Sequence, residues 1–461
     1  MAGIGFQLKT LFGREGIMHR MKAVAYASLV TVGPMICCMV GMIAIYLLMA
    51  FADTPYLERQ LFQSGSSYAF AFSFMLTSPI SLFTTRSVSD RLYTGQYRSL
   101  LPSFYGSLQI ALAAAAVPAL VFLFLAPLSL GAKVALIVMY MALCVIWMEV
   151  VYISAMKAYR NVALAFLIGV SLAVGLVWLL IRGGSHSVAY LFAAMAAGFT
   201  VTAGLLLVQI ERFFRLTEDT SRVYEFLRDL RRHPSLLGTG LFTGLCMFEH
   251  QIAQWIANGQ WIGGSFRVSP LYDVAVYFAV LSVLPTLIWF VVSVETTFYP
   301  KYRQYYDLVL TNGTIGEIDK ARRELEKVLF SELAKLMGMQ LAFSIFAVAA
   351  GIKFLPYIGF TSLQIDTYNI LVMSFYVYVM TSIILLLLLY FDDRRGALAV
   401  SAVFLVLNLV SSVLLSADKY QGLSLFAGSF PSLLAALGRL LYRTKRLHYI
   451  TFSAQPLVVR Q

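Results

Sequence analysis

Four ionisable side chains sit inside long apolar stretches of this chain: Glu149, the adjacent pair Glu249 and His250, and Asp273. A charge near the centre of a bilayer costs about 2.5–3.5 kcal/mol on insertion scales. Side chains of this kind are expected to face protein or a water-filled path, where a carboxyl binds a proton or a cation and serves a pathway or its coupling. A second group lies where apolar runs end. Arg86 and Asp90 are four residues apart, share one helix face and can pair; Tyr93 follows them. About half a chain later Glu295, Tyr299 and Tyr302 return at similar offsets from a proline, Pro285 standing to Tyr299 as Pro79 stands to Tyr93. The aromatic run Phe298, Tyr299, Tyr302, Tyr305 and Tyr306 covers several helix faces. Flat rings stack on the apolar C–H faces of sugars, so this cluster suits an inner mouth for a saccharide. The ordinary alternative is a helix resting on lipid headgroups.

Other chemistries are not written in the sequence. It has no G-x-x-x-x-G-K-[ST], no G-x-S-x-G and no H-E-x-x-H. Its five histidines are scattered, so neither a metal site nor a cofactor is expected, and no catalytic residue is assigned. Cys37, Cys38, Cys144 and Cys246 lie in apolar runs without a C-x-x-C and read as small apolar side chains. Asp392 and Asp393 stand beside Arg394 and Arg395 in a turn, where a solvated charge cluster is expected. Gly240 and Gly244 form a G-x-x-x-G, a pattern for close helix packing.

The elements that must position these residues follow from composition. Of 461 residues, 60% are apolar and 13% charged, and the mean hydropathy is +0.78. An all-α integral membrane protein follows. Twelve spans are expected near 23–50, 67–85, 105–126, 134–155, 162–181, 189–210, 236–257, 271–294, 336–352, 370–391, 397–415 and 422–441. Segments placed on one side, with both termini and with Arg439 at the inner end of the last span, hold 29 of the 35 basic residues; Arg59, Lys133, Arg182, Arg267, Lys353 and Lys419 fall on the other. That asymmetry puts both termini in the cytoplasm and explains the net charge of +12 without nucleic acid.

The domain plan is a cytoplasmic amphipathic segment at 1–22, a six-helix lobe at 23–210, a cytoplasmic linker at 211–235, a second six-helix lobe at 236–441 and a cytoplasmic tail at 442–461. In the linker, Val223, Phe226, Leu227 and Leu230 make an apolar stripe, which predicts a surface-lying helix. Thr314 with Glu317 predicts a capping box opening a second amphipathic helix. The proline offsets, and the matching inner turns at Arg160 and Arg395, point to an internal duplication. Six spans per half give two lobes related by a pseudo-two-fold along the membrane normal, with a path between them.

Several stretches resemble one family. Met1 to Lys9 (MAGIGFQLK), Ala25-Tyr-Ala with Gly33-Pro34, Arg86 to Tyr93 (RSVSDRLY), and Glu295-Thr-Thr-Phe-Tyr with Tyr302 are similar to the Pel exopolysaccharide transport (PelG) family. Length and helix layout agree along the whole chain. The family resembles the polysaccharide branch of the multidrug/oligosaccharidyl-lipid/polysaccharide (MOP) flippase superfamily. The resemblance implies a bacterial inner-membrane protein that moves a hexosamine-type polymer from cytoplasm to periplasm and acts in biofilm formation. It also implies a cytoplasmic glycosyltransferase partner and membrane partners, a scaffold or cyclic-di-GMP receptor among them. Phe248-Glu-His-Gln is not part of the family pattern. The alternatives are an ion-coupled drug or lipid-linked oligosaccharide antiporter of the same superfamily, and, from another class, a membrane glycosyltransferase or ligase. The latter would need large catalytic loops outside the membrane.

Overall fold

The computed structural model describes residues 28, 32–156, 159–214, 223–311, 313–415 and 421–453. The expected surface helix at Met1–Lys22, most of the start of the first span and Lys419 lie outside the described residues. Two compact units divide the chain, one ending at Asp273 and the other beginning at Val274.

The first unit holds α1 (Gly33–Phe51), α2 (Tyr56–Tyr93), α3 (Leu100–Leu125), α4 (Leu130–Met156), α5 (Tyr159–Arg182), α6 (Val188–Phe213), a short α7 (Leu227–Arg232) and α8 (Pro234–Asn258). An antiparallel hairpin follows, β1 (Gln260–Ile262) with β2 (Phe266–Val268). The division falls inside α9 (Pro270–Ala279). The second unit continues through a 3-10 turn at Val280–Val283, α10 (Leu284–Ser293), a π-turn at Val294–Phe298, α11 (Tyr299–Leu310), α12 (Ile315–Phe354), α13 (Ser362–Tyr390), α14 (Arg394–Leu415), α15 (Leu423–Lys445) and α16 (Leu447–Ser453).

Ten helical stretches among the described residues are long and apolar enough to cross a membrane. Two further helices, α2 with 38 residues and α8 with 25, have the length but carry many serines, threonines and glutamines. With them the count is twelve. These two helices pack on each other. α8, expected to open the second lobe, thus belongs to the first unit by its contacts.

The contact is close for a reason visible in the residues. Pro79 sits inside α2 and supplies no N–H, so the carbonyl one turn earlier loses its partner and the helix is weakened there. α8 brings Gly240 and Gly244 to this point. A Cβ at Gly240 would meet the Ser78 carbonyl at 2.7 Å and the Pro79 Cα at 2.8 Å. One at Gly244 would meet Ser78 Cβ at 2.7 Å. Ser78 Oγ donates to the Gly240 carbonyl at 2.9 Å. The G-x-x-x-G is therefore a packing device, as its spacing implies.

The linker differs from expectation. Its helix is confined to Leu227–Arg232 among the described residues, and Phe226 is buried against Phe83 of α2 rather than lying on a surface. A Cβ at Gly106 of α3 would strike the Val223 carbonyl at 2.2 Å, so the linker backbone is seated in a notch that only glycine leaves open. Arg91, 6% exposed, secures it by approaching Asp229 at 3.6 Å, and Ser87 donates to the same carboxylate at 2.8 Å.

In the second unit the expected ninth span begins earlier than predicted. The capping box of Thr314 and Glu317 is present, but the helix it opens runs unbroken for 40 residues into the apolar stretch. No glycine pair or proline lies between Leu329 and Leu336 to stop it, and charge density alone does not end a helix. Asp393 also corrects the sequence reading. It is not solvated: at 4% exposure it accepts from Arg439 Nε at 2.6 Å, Arg439 Nη2 at 2.8 Å and the Gly396 N–H at 3.1 Å. Asp392 pairs with Arg394. Burial pushes the Asp393 carboxyl up, but the Arg439 hydrogen bonds and charge outweigh it and hold the group below its usual range.

Two predictions follow from this packing. Gly240→Leu forces α8 off α2 and lowers thermal stability in detergent, at a cost of about 1–3 kcal/mol. Gly204→Ala, on α6 where nothing lies within 4 Å, serves as the unchanged control. For Asp393 the folded-state pKa lies below the unfolded one. Its stabilisation is therefore complete above the unfolded value, about 3.9, and is lost as pH falls through the folded value. Asp393→Asn should flatten the acid limb of a stability–pH profile while lowering stability at neutral pH. An unchanged acid limb counts against the pair.

Candidate functional site

Polar side chains converge in the first unit along α2, α4 and α8. At the end of α8 nearest the hairpin, His250 is 2% exposed and its Nδ1 lies 2.8 Å from the Tyr272 hydroxyl. Tyr272 is fully buried. Glu249 is itself 6% exposed. Next to Tyr272, Asp273 accepts from Gln251 Nε2 at 2.8 Å, Trp255 Nε1 at 2.9 Å and the Ser269 N–H at 3.2 Å. Three neutral donors thus meet one carboxylate at the first turn of α9, where a negative charge also favours the helix dipole. Trp255 stacks on Tyr68 of α2 with centroids 4.6 Å apart and planes 6° from parallel. The Tyr68 hydroxyl donates to the Arg267 carbonyl of β2 at 2.8 Å. Asp273, Trp255 and Tyr68 so tie α9, α8, α2 and the hairpin together.

The hairpin itself was not foreseen. Its turn passes through Gly263 and Gly264, both with positive φ (54° and 65°), which glycine adopts without strain. The Gly-Gly pair between Trp-Ile and Phe-Arg-Val was the signal available.

Glu149 on α4 is fully buried, and neither of its carboxylate oxygens has a hydrogen-bond partner. Around it the helix is well tied. Trp147 Nε1 donates to Ser73 Oγ at 3.1 Å, Met148 Sδ lies 3.6 Å from Ser81 Oγ, and the Tyr152 hydroxyl lies 3.1 and 3.3 Å from Ser103 and Ser107 of α3. The structure thus brings Glu249, His250 and Asp273 into one neighbourhood and leaves Glu149 on a different helix with no bond to any of them.

The residues at the ends of apolar runs fall into two sets. In the first unit Arg86 and Asp90 pair at 3.0 Å in a half-exposed position, and Tyr93 is 88% exposed. Arg91, on the buried face of the same helix, was passed over because nothing in sequence marks Asp229 as its partner. In the second unit Glu295 is 8% exposed within the π-turn, and Tyr299 is partly buried. The Tyr302 ring packs among Phe298, Tyr306, Tyr390 and Phe391, and its hydroxyl donates to the Tyr390 carbonyl at 3.1 Å. Tyr305 is fully buried. Most of this aromatic run therefore contacts protein.

The arrangement suits binding and movement within a membrane. The family described as "PelG: Putative exopolysaccharide Exporter (EPS-E)" matches residues 1–452. The chain belongs to this family. Its fold is similar to those of MOP superfamily transporters. A point mutant of the Vibrio cholerae MATE transporter VcmN is 12% identical over 97% of this chain and 100% of that one, with a TM-score of 0.67. An inward-facing multidrug resistance MATE transporter is 14% identical over 98% and 100%, at 0.54. A MOP superfamily transporter from Pyrococcus furiosus is 14% identical over 93% and 96%, at 0.58. At these identities the likeness is one of fold. No curated protein matches in sequence. An exopolysaccharide exporter family on a MOP transporter fold makes the chain a membrane transporter.

The aromatic packing yields a prediction. Tyr302→Phe removes one hydrogen bond and costs about 1 kcal/mol of stability. Tyr302→Ala removes the ring from the cluster and costs about 3 kcal/mol. Unfolding of both variants in detergent checks this. An Ala variant as stable as wild type yet defective in transport would instead mark the ring as a surface for substrate.

Proposed function

We propose that the chain moves a hexosamine-type exopolysaccharide from the cytoplasm to the periplasm across a bacterial inner membrane, with both termini cytoplasmic. The observation that carries the reading is the family match along residues 1–452. The basic residues support the orientation, since 29 of 35 belong to segments on one side. In that orientation Arg86, Asp90 and Tyr93 stand at the cytoplasmic end of α2. A half-exposed ion pair and an exposed phenol there offer charge and a flat ring to a polymer of amino sugars. Tyr299 and Glu295 stand at the corresponding end of the α9–α11 run.

The function needs no reaction at the protein. Polymer made by a cytoplasmic glycosyltransferase would be handed to this chain, with a membrane scaffold or a cyclic-di-GMP receptor holding the two together. Such partners fit a transporter whose extramembrane segments are short.

Deleting the chain from a producing cell should leave polymer made but retained inside, and restoring it should return polymer to the medium. Unchanged extracellular polymer after deletion contradicts the proposal.

A further inference from the structure

The side chain that the packing leaves unexplained is Glu149. It is completely buried on α4, seven residues before the helix ends at Met156, and neither carboxylate oxygen accepts a hydrogen bond. Among the described residues no lysine, arginine or histidine forms an ion pair with it. Its neighbours along α4 show that this is not general looseness, because Trp147, Met148 and Tyr152 each reach a serine on α2 or α3. A bare carboxylate enclosed in this way loses its water and gains nothing in return, at a cost of several kcal/mol. A neutral carboxyl costs far less, so this packing is compatible with the proton-bearing form.

Among the described residues, the charged and titratable groups named below on the elements against α4 are bonded elsewhere or exposed. On α2, Arg86 pairs with Asp90, and Arg91 bonds the Ser99 carbonyl and approaches Asp229. On α3, Tyr105 donates to Glu211 of α6. Arg160 of α5 and Arg212 of α6 are exposed. On α4 itself, Lys133 donates to the Leu123 carbonyl, and Tyr152 is held by Ser103 and Ser107. Tyr140 and Cys144 lie more than one turn toward the helix start and form no bond to Glu149.

We propose that Glu149 is a single-proton binding site of the first unit, and that taking up and releasing this proton couples transport. The site takes the proton alone; among the described residues no second oxygen ligand is in bonding contact with the carboxyl from which to build a metal cage. With the proton on, α4 keeps its contacts with α2, α3 and α6. With it off, the carboxylate must reach water or a donor, which requires those helices to part. Proton occupancy thereby selects between a closed and an opened packing of the first unit. The coupling rests on the transport reading above, whereas the proton site does not.

The test has two arms on the full-length chain. In purified protein, thermal stability is followed against pH from 6 to 10 for wild type, Glu149→Gln and Glu149→Asp. Gln keeps the shape and an acceptor but carries no titrating proton. Wild type should lose stability as pH rises, and Glu149→Gln should be flat over the range while folding normally. Identical profiles for wild type and Gln overturn the proton site. In producing cells, Glu149→Gln should cut exported polymer at least tenfold at normal membrane levels, and Glu149→Asp should keep part of it. Full export by the Gln variant overturns the coupling even if the titration is seen. A wild-type chain that exports no polymer defeats the transport reading and the coupling with it, while the titration arm still decides the proton site.

Discussion

The bilayer core offers no water, so each polar side chain within a span must be satisfied by protein or carry no charge. The rest of the structure depends on that constraint. α2 and α8 are too polar to face lipid all round, and they pack on each other. Pro79, Ser78, Gly240 and Gly244 give the closest part of their contact. Asp273 meets the same demand with three N–H donors, and Asp393 with a two-pronged Arg439. Gln340 of α12 answers it for the irregular turn ahead of Pro285, donating to the Ser282 carbonyl at 3.2 Å and to Ser344 Oγ at 3.1 Å. Glu149 is a fully buried acid neither of whose carboxylate oxygens meets a donor among the described residues.

Sequence carries local structure better than distant partners. The Arg86–Asp90 pair was legible because both residues lie on one helix turn, and the Thr314–Glu317 box because it spans four residues. The G-x-x-x-G of α8 was legible as packing, though not what it packs against. Asp393 was misread because its cation stands 46 residues away on α15, which no local pattern reveals. The linker was misread for a similar reason. Its apolar stripe fits a membrane surface and a groove on α2 and α3 equally well, and only the notch at Gly106 decides between them. The hairpin was lost among apolar spans although Gly263 and Gly264 mark it.

For the site, residue type was informative and geometry was not. Burial cost alone picked out Glu149, Glu249, His250 and Asp273. It did not distinguish an acid that is fully hydrogen-bonded, as Asp273 is, from one that has no partner. Those two situations imply different chemistry: the first fixes helices in place, and the second favours a proton. The aromatic run after Glu295 shows the same limit. Composition suggested stacking surfaces for sugars, and Tyr302 and Tyr305 turn out to be occupied by protein neighbours.

The most direct test of an exopolysaccharide transporter is flux by the chain alone. Purified full-length protein would be placed in proteoliposomes holding a fluorescently labelled N-acetylated hexosamine oligosaccharide, with a cationic dye in a parallel set. The account predicts release of the oligosaccharide well above protein-free vesicles and no enhanced release of the dye. Enhanced flux of the dye with none of the oligosaccharide would contradict it.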